Sequence, residues 1–560
     1  MKSNRSEKPY TAKILLCGEA GDGILSAGDV LMNAAARMGF FSSVHKNFPS
    51  TIRGGFCSSL VTITNQKSWS PRSEADISVY INDARICLSD KRNIDLPFDS
   101  LFRKSSQNPL KTTFALGVLC RILGIGADFI LEQLGDKLKG KRPDLLKQNR
   151  SIIQKGLGFA QTSIGPLPRF ALPDCRPQSE KRIILDGNQA VALGAVAAGC
   201  KLYASYPITP ATSIGDHLSH YLPAQGGFSY QAEDEIAALG AVIGASFSGS
   251  RAMTATSGPG LSLMQEFIGY CSMTEIPAVI VDVQRAGPST GMPTKHSQDD
   301  LLAAALGGHG EGQRIVLGAS SVEDCFHLAM ESFDLAQMLR CPVILLSDCA
   351  LANLKTTMEP PGPARRGTLI HQNRYSCGSD CGTDLAVTSS FSEKNGQGRR
   401  VTGVEHNENS VPDTSPRNRL LQLQRREEKM SDIFTLAAHL QEWDVEGLDF
   451  GEADISVVSW GLSAAVTKAA VKELRAGGVR VAALYPGLLY PVDREAYETL
   501  RRFSEKMVVV ESNHTGQLSS LIRMSSGLNV HSITQCRGEP FTSEEVTENL
   551  YQIYKENICA

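Results

Sequence analysis

The sequence predicts an α/β protein with three parallel-sheet domains, and three observations lead there. Short apolar, β-branched runs alternate with helical patterns in three separate blocks, the pattern of parallel sheets with crossover helices. A stretch holding Pro166, Pro168, Pro173 and Pro177 divides the first block from the second. Residues 360–430, rich in Pro, Gly, Ser, Asn and Arg and without hydrophobic periodicity, divide the second from the third. With 560 residues the chain is too long for one core, and about three or four domains are expected.

The first domain spans 1–165. Lys13 to Leu16 predicts a strand, Gly18 to Gly23 a tight turn, and Ile24 to Met38 an amphipathic helix, with further strands at Leu60 to Thr64 and Ile77 to Ile81. Residues 166–180 form a stiff linker. The second domain, 181–360, has strands at Leu202 to Ser205, Met253 to Thr256, Pro277 to Val283 and Pro342 to Ser347. Ala/Gly-rich helices, Gly187 to Gly199 and Glu235 to Ser246, lie between them. An irregular connector, 361–450, precedes a third domain, 451–560, with Ile455 to Trp460, a helix from Ser463 to Ala476, and strands Val479 to Leu484 and Met507 to Glu511.

Composition excludes several classes. A net charge of −3 gives no electrostatic footprint for nucleic acid. No apolar run approaches the roughly 18 residues that cross a bilayer, and Met1 to Pro9 lacks the apolar centre of a signal peptide, so a cytoplasmic protein without membrane contact is expected. The fourteen cysteines are scattered, many in apolar segments where a thiol behaves as a small buried hydrophobe. Cys377 and Cys381 form the closest pair, with no second pair nearby, so no metal site is expected in this chain.

Six stretches invite chemistry. Gly18-Glu19-Ala20-Gly21-Asp22-Gly23 joins a strand to a helix, where backbone amides can meet a phosphate or simply close the turn. Tyr206-Pro207-Ile208-Thr209-Pro210 is an extended loop just past a strand, at the edge where parallel sheets bind ligands. Ala232-Glu233-Asp234-Glu235 enters a helix, whose dipole any one of its acids would suit. Thr254 to Gly260 is a strand-to-helix turn, and Arg285, ending the otherwise apolar strand Val279 to Val283, opens the loop Gln284 to Thr294. A guanidinium there suits a planar carboxylate, although Asp299 or Asp300 could pair with it instead. Val510-Glu511-Ser512-Asn513-His514-Thr515-Gly516-Gln517-Leu518 ends a strand in the third domain. His217 and His220 share a helix without acidic or cysteine partners and read as surface residues.

In this order, these motifs resemble the alpha subunits of thiamine-diphosphate-dependent 2-oxoacid:ferredoxin oxidoreductases, with 2-oxoglutarate:ferredoxin oxidoreductase the nearest type. Gly18 to Gly28, Asn47 to Ser50 and Arg53 to Gly55 resemble the gamma domain of the same enzymes, fused here at the N-terminus. Asp22-Gly23 with Asn47 also mimics a magnesium-diphosphate motif, but the surrounding segment fits the gamma domain better. The resemblance implies a gamma-type domain, a thiamine-diphosphate pyrimidine-type domain and a transketolase C-terminal-like domain.

It singles out Glu235 as the carboxyl facing N1′ of the aminopyrimidine, with Pro207, Ile208 and Gly258 lining the cofactor. Arg285 and Thr294, with Thr209 and Tyr206, would bind the substrate. The implied reaction is oxidative decarboxylation of a 2-oxoacid, 2-oxoglutarate first, to acyl-CoA and CO₂, with coenzyme A as co-substrate and ferredoxin as acceptor. A beta subunit would hold Mg²⁺, the cofactor diphosphate and a 4Fe-4S cluster, in a heterodimer or dimer of heterodimers. An arylpyruvate, indolepyruvate or branched-chain relative and a non-catalytic nucleotide-binding assembly protein are the alternatives.

Overall fold

The computed structural model describes residues 10–49, 54–66, 74–102, 108–138, 143–173, 182–361, 401–407 and 409–558. The described residues up to Leu185, with Asn353–Pro360, form one compact unit; Asp186–Ala352 and the described residues from Pro361 onward form another. Three sheets interleave with helices, as the α/β reading requires.

The first unit holds an eight-stranded sheet ordered Asn93–Asp95, Arg85–Leu88, Ile77–Tyr80, Thr11–Glu19, Phe56–Thr64, Phe41–Asn47, Lys355–Met358, Ile183–Leu185. Its pairing is mixed. Thr11–Glu19 runs parallel to Ile77–Tyr80, and the other neighbours are antiparallel. The reason is local: Ile77–Tyr80, Arg85–Leu88 and Asn93–Asp95 follow one another too closely for a crossover helix. Helix Ile24–Arg37 buries Ile24, Ala27, Val30, Leu31, Ala34 and Ala35 on one stripe. Helices Asn108–Leu123 and Pro143–Phe159 touch backbone to backbone, because a Cβ on Gly156 would stand 2.3 Å from the Phe114 carbonyl. Leu167 and Phe170, from the stretch expected to be a linker, are buried in this unit's core; residues 174–180 lie outside the described ones.

The second unit has two sheets. The seven-stranded one is ordered Leu488–Tyr490, Ile315–Gly318, Pro342–Asp348, Ala278–Gln284, Ala252–Thr256, Leu202–Ser205, Phe228–Gln231. All neighbours from Ile315–Gly318 to Phe228–Gln231 are parallel, so their carboxyl ends share one edge. The five-stranded sheet, Gln441–Asp444, Val481–Pro486, Ile455–Ser459, Met507–Glu511, Val530–Thr534, is parallel except at its first strand. One core joins both sheets, with Ile280, Ile344 and Leu346 from the larger and Trp460, Leu484 and Val509 from the smaller.

Part of the stretch 361–450 departs from the irregular reading. It contains helix Pro416–Ser431, a short helix Ile433–Leu436 and the edge strand Gln441–Asp444. The long helix shows no hydrophobic period because ion pairs fasten it. Arg425 and Lys429 each lie 2.8 Å from Glu275, and Arg426 lies 2.7 Å from Glu405. Its start carries a local signal that the irregular reading passed over: Ser415 accepts from the Asn418 amide and Pro416 takes the first helical position. Cys377 and Cys381 lie outside the described residues.

Candidate active site

The parallel sheet provides a crevice by its connectivity. From Leu202–Ser205 the chain goes on to Phe228–Gln231 on one side, whereas from Ala252–Thr256 it goes on to Ala278–Gln284 on the other. Adjacent strands whose connections diverge leave a gap at their carboxyl ends, where ligands bind in such sheets. The loop Tyr206 to Pro210 and the turn Ser257 to Gly260 rim that gap.

Two buried side chains hold the first rim. Asn188, in helix Gly187–Ala197, donates through Nδ2 to the Pro210 carbonyl and to Ser213 Oγ, both at 2.8 Å. Arg285 Nη1 donates to the Thr209 carbonyl at 2.7 Å. Thr209 and Tyr206 are exposed, Pro207 is exposed and Ile208 half-buried. The structure therefore brings Arg285 and Thr209 together through the loop backbone. Asp300 and Asp282 act on Arg285 only through space.

The three acids before helix Glu235–Phe247 separate into distinct roles. Asp234 is the cap, accepting from the Ala237 amide at 2.7 Å, and Glu233 is exposed. Glu235 is buried, 6% exposed, and no donor among the described residues hydrogen-bonds its carboxylate. It packs on the opposite rim: a Cβ at Gly260 would lie 2.8 Å from Glu235 Oε1 and 2.0 Å from Thr256 Oγ1. Only glycine fits there. A deeply set carboxyl without a donor among the described residues suits a partner that brings its own polar nitrogen.

Gly258 opens helix Gly258–Thr274, and a Cβ there would stand 2.6 Å from Asp300 Oδ1. The Asp300 carboxyl thus rests on the first turn, where the helix dipole favours negative charge. Beneath it, inside the strand Ala278–Gln284, is Asp282, fully buried. Sequence reasoning missed this residue, reading that strand as apolar, although an acid amid buried residues is itself a signal. Among the described residues no amide, amine or hydroxyl reaches either Asp282 oxygen or Asp300 Oδ2. The two carboxyls lie close enough for the charge of Asp300 to act on Asp282. Burial, then the charge of Asp300, pushes Asp282 well above the usual carboxylate range. Burial, then Asp299, pushes Asp300 up to about 7, with Arg285 pulling the other way.

Thr294 lies half-buried on the loop between Arg285 and Asp300, whose far end is tied to the smaller sheet. Gln298, fully buried, donates to the Trp460 carbonyl at 2.9 Å and accepts from the Ser512 amide at 2.7 Å and Ser463 Oγ at 2.8 Å. Its backbone carbonyl accepts from Asn513 Nδ2 at 3.2 Å. The Glu511 carboxylate caps helix Gln517–Ser526, accepting from the Leu518 and Ser519 amides at 2.8 and 3.1 Å. The Glu-x-Asn turn of the third domain thus anchors the Arg285 loop. Gln298 and Asn188 had no sequence signal, because their partners lie far along the chain.

In the first unit, the Gly18 to Gly23 turn already uses its amides. The Glu19 amide donates to Asp22 Oδ2 at 2.9 Å, the Ala20 amide to the Gly55 carbonyl and the Asp22 amide to the Glu19 carbonyl. Three bonded amides beside two acids favour turn closure over a phosphate cradle. His217 stacks on Tyr221, 6.1 Å between ring centres. Among the described residues no group of three or more His, Cys, Asp or Glu is placed to hold a metal, and no helix is long and apolar enough to cross a membrane.

Three family models match the chain in succession. They are pyruvate ferredoxin/flavodoxin oxidoreductase over residues 13–87, pyruvate flavodoxin/ferredoxin oxidoreductase, thiamine diP-bdg, over 193–424, and pyruvate:ferredoxin oxidoreductase core domain II over 453–546. The chain is 36% identical to 2-oxoglutarate synthase subunit KorA of Methanothermobacter marburgensis over 65% of its own length and 97% of the relative's. The chain belongs to the 2-oxoacid:ferredoxin oxidoreductase family. It is an alpha-type subunit of that family, and hence of an oxidoreductase. The Mycobacterium tuberculosis 2-oxoglutarate oxidoreductase subunit KorA is 30% identical over 95% of this chain and 90% of its own. A solved structure, 2-oxoglutarate:ferredoxin oxidoreductase from Magnetococcus marinus with 2-oxoglutarate, coenzyme A and succinyl-CoA bound, superimposes with a TM-score of 0.84. That match is 32% identical and covers 97% of this chain and 99% of the other.

Proposed function

We propose that this chain is the alpha subunit, with a gamma-type domain fused ahead of it, of a 2-oxoglutarate:ferredoxin oxidoreductase in the cytoplasm. The reaction converts 2-oxoglutarate and coenzyme A to succinyl-CoA and CO₂, with two electrons passed singly to ferredoxin. The observation that carries it is Glu235, buried, without a donor among the described residues, and seated against the Gly260 turn at the strand ends. The fused arrangement is supported by family models matching in one chain at 13–87 and 193–424, and the substrate by the names of the long-covering relatives.

Thiamine diphosphate, held jointly with a beta subunit that would also bind Mg²⁺ and a 4Fe-4S cluster, would supply the carbanion chemistry of decarboxylation. Glu235 would share a proton with N1′ of the aminopyrimidine, and Pro207, Ile208 and Gly258 would wall its pocket. Arg285, with Nη1 kept on the Thr209 carbonyl, offers the rest of its guanidinium to a substrate carboxylate. Thr209 and Thr294 offer hydroxyls, and Tyr206 contact, to the remainder of the substrate. The chain orients, stabilises charge and manages one proton.

The test is dye reduction by the chain with its beta subunit, screened over 2-oxoacids with coenzyme A. Glu235→Gln leaves the complex assembled and slows every substrate alike by roughly 10²–10⁴. Unchanged turnover in that variant removes Glu235 from the mechanism.

A further inference from the structure

Arg285 is surrounded by more acid than its task requires. Asp282 lies inside its strand, fully buried, with both oxygens lacking an N–H or hydroxyl donor among the described residues. Asp300 faces it from the loop's far end, with its carboxyl over Gly258 and its amide bonded to Gln284 Oε1 at 3.1 Å. Asp300 Oδ2 and Arg285 Nε are also buried without partners. Two carboxylates cannot both stay ionised in such a place, whereas a carboxyl O–H donating to a carboxylate satisfies the facing oxygens at once.

We propose that Asp282 and Asp300 share one proton, and that the loss of this proton weakens the hold of Arg285 on a substrate carboxylate. The proposal deepens the functional reading above and rests on Arg285 as the carboxylate site. With the proton in place the pair carries one negative charge beside the Arg285 cation. Without it, two charges compete with an anionic substrate for the same guanidinium. The other ionisable groups acting on the pair and on Arg285 are Asp299, next to Asp300, and the Cys349 thiol, after the adjacent strand. Glu235 sits against the same helix turn, over Gly260. Asp282 and Asp300 are positioning residues, since they act through Arg285.

Two measurements test this. Infrared spectra of the full-length chain, with aspartate isotope-labelled, are expected to show a protonated Asp carboxyl band at pH 6 that shifts in frequency or is lost in each of Asp282→Asn and Asp300→Asn, because the O–H changes its partner. Absence of the band, or an unchanged band in either variant, overturns the shared proton whatever the reaction. In the assembled complex, the KM for 2-oxoglutarate is expected to rise roughly three- to tenfold from pH 6.5 to pH 8.5, with kcat changing less, and to stay level in Asp300→Asn. A level wild-type KM, or an equal rise in the variant, overturns the coupling to Arg285. Failure to turn over any 2-oxoacid sinks the functional reading and the coupling together, while the band would still establish the shared proton.

Discussion

Replacing Gly260 by alanine is the sharpest probe of the site, because the structure sets both the direction and the size of the response. A Cβ at this position would stand 2.7 Å from Glu235 Cγ, 2.8 Å from Glu235 Oε1 and 2.0 Å from Thr256 Oγ1. Ordinary contact begins near 3.4 Å, so the Glu235 carboxyl must retreat by about 0.6 Å and the Thr256 hydroxyl by more than 1 Å. Overpacking of this kind costs about 1–3 kcal/mol of stability. A misplacement near 1 Å of a group that must meet its partner costs about 10²-fold in rate, so kcat should fall roughly 10- to 100-fold. The assay is dye reduction by the reconstituted complex with 2-oxoglutarate and coenzyme A, alongside thermal melting of the chain. Gly244→Ala is the matched control: it lies on the helix that begins at Glu235, and a Cβ there meets nothing within 4 Å. That control should melt no lower than wild type, and about 1 kcal/mol of helix propensity favours it. A Gly260→Ala chain with wild-type melting and kcat would refute the packing of Glu235 on this turn.

Three further predictions follow from the same contacts. Arg285→Ala should raise KM for 2-oxoglutarate at least tenfold while lowering kcat less, read from initial rates over substrate concentration; a pure kcat defect would contradict a binding role. Gln298→Leu strands the buried Ser512 amide and Trp460 carbonyl, at about 1–3 kcal/mol each, and should lower the melting temperature and raise KM together; unchanged melting would show the loop anchored otherwise. Burial opposes the charge on Glu275, but Lys429, Arg425 and Arg340 outweigh it and hold the group at about 2, below its ordinary 4.5. Its contribution is therefore present above pH 4.5 and lost as pH falls toward 2, on the order of 3 kcal/mol in full. Melting of Glu275→Gln should differ from wild type at pH 6 and converge with it in acid; a constant gap would assign the loss to packing alone.

Much of the fold was legible because burial leaves a periodic trace. The strands Leu202–Ser205 and Met507–Glu511, and the starts of helices Gly187–Ala197 and Glu235–Phe247, agree with the pattern of apolar runs and small residues. Helix Pro416–Ser431 was illegible by that criterion, because its stabilising partners are Glu275 and Glu405 rather than an apolar face. The mixed pairing of the first sheet was also hidden: strand patterns alone do not say which neighbour a strand takes or in which direction.

At the candidate site, the residue types Thr209, Glu235, Gly258, Arg285 and Thr294 stood out from local motifs, and their order along the chain was enough to suggest the family. Which of them meet was decided only by the tertiary structure. It joined Arg285 to the Thr209 carbonyl, set Glu235 over Gly260, and faced Asp282 with Asp300 across the strand end. The physical reason is range. Turn chemistry, capping and hydrophobic periodicity act over a few residues and are written locally. The desolvation of a carboxyl, and the donors within its reach, depend on strands brought together from distant parts of the chain.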